Sequence, residues 1–150
     1  MNEPAPSLSK IRHDLRTPLN HILGYSEMLL EDAETDGFAQ VADELQTIHD
    51  SGKVLIDLIN EHLGKEVESS VSREKPPELL RRCRAPINDI LNRANLVFEQ
   101  VANSDNQQWL ADLQKIKTAA HRWLELAELF LQPAPTTRRS VSAKKSPKPE

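Results

Sequence analysis

Apolar and small residues recur at steps of three and four along four stretches of the chain, the spacing of an amphipathic helix that buries one stripe. The first stripe is Leu8, Ile11, Leu15, Leu19, Ile22, Ser26 and Leu29. The second is Leu45, Ile48, Gly52, Leu55 and Ile59, closed by His62. Leu80, Cys83, Ile87, Ile90, Ala94, Val97 and Val101 form the third, and Leu113, Ile116, Ala120, Trp123, Ala127 and Phe130 the fourth. No segment keeps a period of two beyond a few residues, so strands are not expected. Thr35, Asp36 and Gly37 separate the first two stripes and Asn103, Ser104 and Asp105 the last two, which predicts two helical hairpins. Gly64 marks a stop after Leu63, and Pro76 and Pro77 a break between the hairpins.

Only Pro18 and Pro86 fall inside helical patterns, 68 residues apart. Shifted by 68 without a gap, Arg16, Pro18, Asn20, Ile22 and Leu23 fall on Arg84, Pro86, Asn88, Ile90 and Leu91. The register continues, with Leu45, Gln46 and Ile48 on Leu113, Gln114 and Ile116, and Leu58 and Leu63 on Leu126 and Leu131. This is the signature of a duplicated unit. The expected fold is all-α, a four-helix bundle of two tandem helical hairpins. Hairpin one spans 8–63 and hairpin two 79–131, joined by a linker 64–78 and flanked by a disordered N-terminus 1–7 and a disordered basic tail 132–150.

With 150 residues and 38% hydrophobic content, the chain can close one modest core. No basic start precedes an apolar run, and no stretch approaches the roughly 20 apolar residues that span a bilayer, so a soluble cytoplasmic chain without membrane contact is expected. Cys83 is the only cysteine, which excludes an internal disulfide or a thiolate-rich zinc site. His21, His49, His62 and His121 show no ligand spacing with a supporting acid, so no metal is expected, and Trp109 and Trp123 read as packing residues. The net charge of −4 conceals an asymmetry: residues 132–150 carry +4, leaving the body near −8. That tail has too few apolar residues to offset its ordering, and without aromatic residues for stacking it does not suggest nucleic-acid binding.

The chemistry concentrates in His13-Asp14-Leu15-Arg16-Thr17-Pro18-Leu19-Asn20. At about 100° per residue, His13, Thr17, Asn20 and Gly24 lie away from Leu15, Leu19 and Ile22, so the histidine is expected to face solvent. An imidazole, with an ordinary pKa of about 6.5, is a competent nucleophile near neutrality. Pro18 removes one helical N–H and crowds the carbonyl of Asp14, which predicts a bend beside His13.

The motif resembles the phosphoacceptor box of sensor histidine kinases, in their dimerization and histidine phosphotransfer domain, over roughly residues 8 to 63. That family builds its four-helix bundle from one hairpin of each of two subunits. The resemblance implies that His13 is the phosphoacceptor and Asp14 the acid that orients its ring. It further implies that Asp14 and Thr17 together support dephosphorylation of a partner receiver domain, with Arg16, Pro18 and Asn20 as supporting positions.

In the second copy Arg81, Arg82 and Ala85 stand where His13, Asp14 and Thr17 do, so it cannot accept phosphate. It is expected to complete the bundle inside one chain as a pseudo-dimer, leaving the protein monomeric. Neither the family's nucleotide-binding boxes nor a P-loop is present, so no cofactor is expected to be intrinsic. ATP and magnesium would come with a partner, either a histidine kinase catalytic domain or a response-regulator receiver domain. Whether the chain is a phosphotransfer module or a non-catalytic docking module for a receiver or effector stays open at this point.

Overall fold

The computed structural model describes residues 7–63 and 75–131. The expectations for the N-terminus, for Gly64 and most of the linker, and for the tail lie outside the described residues. Four α-helices account for most of the rest: α1 Leu8–Asp32, α2 Ala42–Leu63, α3 Lys75–Val101 and α4 Gln107–Leu131. Among the described residues there is no strand, and no helix is long and apolar enough to cross a membrane.

Local chemistry sets the ends of the helices. Ser7, in extended conformation, caps α1 by accepting from the Lys10 N–H at 3.1 Å, satisfying a donor that has no intrahelical partner. After α1 the chain reverses through Gly37, whose φ of +84° is a left-handed conformation strained for any side chain. A single 3₁₀ turn, Ala39–Val41, then leads into α2. At the second reversal the Asn106 carboxamide accepts from the Trp109 N–H at 3.1 Å, capping α4. α3 begins at Lys75, so Pro76 and Pro77 occupy its first turn and do not end a linker; proline is tolerated there because first-turn N–H groups lack helical partners anyway. α1 runs without interruption through Pro18, and α3 through Pro86.

The helices form a four-cornered bundle in which α1 packs on α2, α2 on α3, α3 on α4, and α4 back on α1. The expected stripes meet in one core, with Leu15, Leu19, Ile22, Leu45, Ile48, Ile87, Ile90, Leu113, Ile116 and Trp123 almost wholly buried. Phe130, expected to end the fourth stripe, is only half-buried; Leu126 and Leu131 lie in the core instead.

Burial repeats at the offset of 68 found in the sequence. Ile11, Leu15, Leu19, Ile22, Ser26 and Leu29 are buried, and so are Leu79, Cys83, Ile87, Ile90, Ala94 and Val97. The hairpins are also clasped at their loop ends. The Trp109 indole N–H donates to Asp36 Oδ2 at 2.7 Å, and the ring packs on Phe38 with centroids 4.5 Å apart.

Candidate functional site

α1 presents His13 on its solvent face, one turn before the buried Pro18, with the side chain 80% exposed. Leu15 and Leu19 point into the core, which fixes the rotation of the helix and holds His13 outward. The imidazole Nδ1 lies 3.3 Å from Asp14 Oδ1. Because a carboxylate can only accept, Nδ1 is the donor in this contact, and in the neutral ring Nε2 then carries the lone pair. Asp14 is held in turn by Lys10, whose Nζ donates to Oδ2 at 2.9 Å. The hydrogen bonds from Lys10 and from His13 keep the Asp14 carboxyl below its ordinary range.

Thr17 turns its hydroxyl back to the helix, donating to the His13 carbonyl at 3.0 Å. Arg16 reaches across to α2 and donates to Asn60 Oδ1 at 3.4 Å, while Arg12 donates to the Leu63 carbonyl at the end of the same helix. These two links tie the turn that carries His13 to α2. Asn20 is exposed and borders, with Arg16 and Thr17, a small hollow of about 250 Å³ beside His13.

On the other flank of His13 a larger open groove of about 600 Å³ runs between α1 and α4. His13, Asp14, Thr17, Pro18, His21 and Tyr25 form its α1 wall. The opposite wall comes from hairpin two, with Gln114, Lys115, Thr118, Ala119, Arg122 and Leu126. The sequence had set His21 beyond the motif; the helix puts it in line with His13 and Thr17, at i+8 and i+4. The α4 wall went unrecognised in the sequence. Its trace there is the polar row Gln114, Thr118 and Arg122 at helical spacing, which acquires meaning only once α4 is known to border α1.

The positions corresponding to the motif in hairpin two are engaged in contacts of another kind. Arg81 donates to Glu78, and Arg82 donates to His62 Nε2 at 3.2 Å, which links α3 to α2. Ala85 is exposed. His49, midway along α2, bonds Glu27 of α1 at 2.7 Å. Among the described residues no three histidine, cysteine or acidic side chains gather as a metal site.

Comparison with known proteins agrees with this geometry. Residues 7–64 match the His Kinase A (phospho-acceptor) domain. The chain is 44% identical to Histidine kinase 2 of Arabidopsis thaliana over 63 residues, which is 41% of this chain and 5% of that protein. It is 27% identical to the circadian input-output histidine kinase CikA of Synechococcus elongatus over 137 residues, 86% of this chain and 18% of the kinase. With the cell-division control histidine kinase PdhS of Brucella canis, identity is 28% over 139 residues, 88% of this chain and 13% of that protein. The last two alignments extend well beyond hairpin one, although the chain spans less than a fifth of each relative. No solved structure matches. The segment 7–64, which carries His13, Asp14 and Thr17, is thus similar to the His Kinase A (phospho-acceptor) domain, a module of two-component signalling.

Proposed function

We propose that this chain is a histidine phosphotransfer module that accepts and donates one phosphoryl group on His13 in trans, working in the cytoplasm with a kinase catalytic domain or a receiver domain. The observation that carries this reading is the exposed His13 ring, whose Nδ1 rests against Asp14 while Nε2 is free. In the forward step the Nε2 lone pair attacks phosphorus and an N–P bond forms. The P–O bond to the donor breaks, and its electron pair leaves on the donor oxygen, either that of ADP or that of an aspartyl carboxylate. The Nδ1 proton stays on the ring and is shared with Asp14, which stabilises the developing positive charge. ATP and magnesium arrive with the partner. Thr17 is the group for the reverse task of orienting water toward a receiver's aspartyl phosphate, and Arg16, Pro18 and Asn20 support the turn.

Hairpin two, in this reading, is a degenerate duplicate that fills the place of a second subunit, so the chain is a monomeric pseudo-dimer. Light scattering should therefore give the 17.0 kDa of one chain. A stable species of twice that mass overturns the pseudo-dimer.

The phosphorylation test uses the chain with ATP and magnesium alone, then with kinase domains and with a panel of phosphorylated receiver domains. No label is expected in the first case. In the others at most one acid-labile, base-stable phosphoryl group should appear, and it should disappear in His13→Gln. Thr17→Ala should still accept label but lose receiver dephosphorylation. Label that survives His13→Gln refutes the site. A folded chain that binds receivers but takes label from none of them is a docking module.

A further inference from the structure

The hollow of about 250 Å³ beside His13, on the flank toward α2, differs in make-up from the groove toward α4. Asp14 lines the groove, whereas the hollow is lined by Ser9, Arg12, His13, Arg16, Thr17 and Asn20, with no acidic side chain among them. Every one of these six can donate a hydrogen bond. Ser9 and Arg12 also lie outside the eight-residue motif that begins at His13.

Both guanidinium groups are held in place. Arg12 donates to the Leu63 carbonyl and Arg16 to Asn60 Oδ1 at 3.4 Å, so the two half-buried arginines are fixed against the last turn of α2. A guanidinium carries five N–H donors in a rigid fork, and each of these contacts engages one nitrogen. Groups anchored in this way lose little further freedom when an anion arrives. Among the described residues Arg16 pairs with no carboxylate, its anchor being the neutral carboxamide of Asn60. Thr17 directs its proton to the His13 carbonyl, and the exposed Ser9 and Asn20 complete the rim of donors.

The same face of hairpin two does not reproduce this set. At positions 68 residues on, Pro77, Leu80 and Ala85 stand for Ser9, Arg12 and Thr17, and Leu80 is buried. Of the six lining residues only Arg16 and Asn20 keep their type, as Arg84 and Asn88. Two anchored forks without a carboxylate suit a compact oxyanion that carries two charges and several acceptor oxygens.

We infer that this hollow is an oxyanion site: Arg12 and Arg16, with Ser9 and Asn20, hold a tetrahedral phosphoryl dianion on the α2 side of His13. The dianion is either free inorganic phosphate or the phosphoryl group carried by His13. The second source rests on the phosphotransfer reading; the first does not.

NMR of the full chain, with the arginine side-chain signals resolved, tests both sources. Inorganic phosphate is titrated at constant ionic strength, with chloride as the reference, into wild type and His13→Gln. In the other arm His13 is phosphorylated with phosphoramidate, a small donor that needs no partner, and free phosphate is removed. Shifts at Ser9, Arg12, Arg16 and Asn20 with free phosphate in both proteins assign the site to the free anion, and the same shifts on labelling assign it to the group on His13. Arg12→Gln/Arg16→Gln should weaken phosphate binding at least about tenfold and abolish the shifts on labelling, with Arg84→Gln within about twofold of wild type. Ser9→Asp should act like the arginine variant, since it places a carboxylate in the hollow while sparing both anchors and suits the first turn of a helix; it decides the matter if the double variant fails to fold. Shifts that chloride reproduces, shifts that persist in Ser9→Asp, or none in either arm overturn the inference. If phosphoramidate leaves His13 unlabelled, it is the acceptor reading that fails, and the phosphate titration alone then judges the hollow.

Discussion

Replacing His13 should separate chemistry from stability more cleanly than any other change in this chain. The side chain is 80% exposed and its one polar contact is the 3.3 Å approach to Asp14, which Lys10 holds independently. Glutamine keeps a polar side chain there and removes the nucleophilic nitrogen. A surface change of this kind stays within about 0.5 kcal/mol. At roughly 3–5 °C per kcal/mol for a bundle of this size, the midpoint should move by no more than ~2 °C. Leu15, two residues away, is completely buried. Leu15→Ala removes three buried carbons and leaves a cavity, costing about 2–5 kcal/mol, or roughly 6–25 °C. Thermal unfolding followed by circular dichroism, run beside the phosphotransfer assay, should show His13→Gln with a native melt and no label. Leu15→Ala, at a temperature where it remains folded, should keep the label on a weakened bundle. A loss of more than about 1 kcal/mol in His13→Gln would mean that the imidazole supports the core and that the solvent-facing reading of α1 is wrong.

Asp14→Asn should slow phosphoryl acceptance by loosening the ring, without abolishing it. Because the Asp14 pKa in the folded chain lies below the ordinary value of 3.8, any stability the carboxylate contributes is complete above that value and is lost as the pH falls through the lower folded pKa. Denaturation curves of Asp14→Asn and wild type should therefore converge on acidification, and a difference that persists at pH 2 would contradict the assigned cause. Asp36→Ala strands the Trp109 indole N–H and should lower stability by about 1–3 kcal/mol, with a change in tryptophan fluorescence; an unchanged midpoint would mean that the Phe38 contact alone clasps the loop ends. Burial pushes the Cys83 thiol up to about 12, so it should resist a thiol reagent such as dithionitrobenzoate at pH 8 until the bundle is unfolded. Fast labelling of the native chain would show that the core opens locally around α3.

The sequence by itself determined the four helices, the stripe each one buries and the solvent-facing His13, because these depend on residues three and four apart on a single helix. It also contained matching residues at an offset of 68, and the burial of Leu15 with Cys83, Leu19 with Ile87 and Ile22 with Ile90 follows that register. Periodicity states which face of a helix is buried but not which neighbour covers it. Only the packing of α4 against α1 places Lys115 and Arg122 in the groove beside His13, and only the bundle joins Asp36 to Trp109 across 73 residues. The roles of Arg82 and His62 were likewise illegible, since their contact exists only where α3 meets α2. The start of α3 at Lys75 was missed because prolines that break a helix interior are harmless in its first turn. Local pattern therefore determined the solvent-facing position of His13, whereas the far wall of the groove beside it, made by residues about a hundred positions away, was decided by tertiary packing alone.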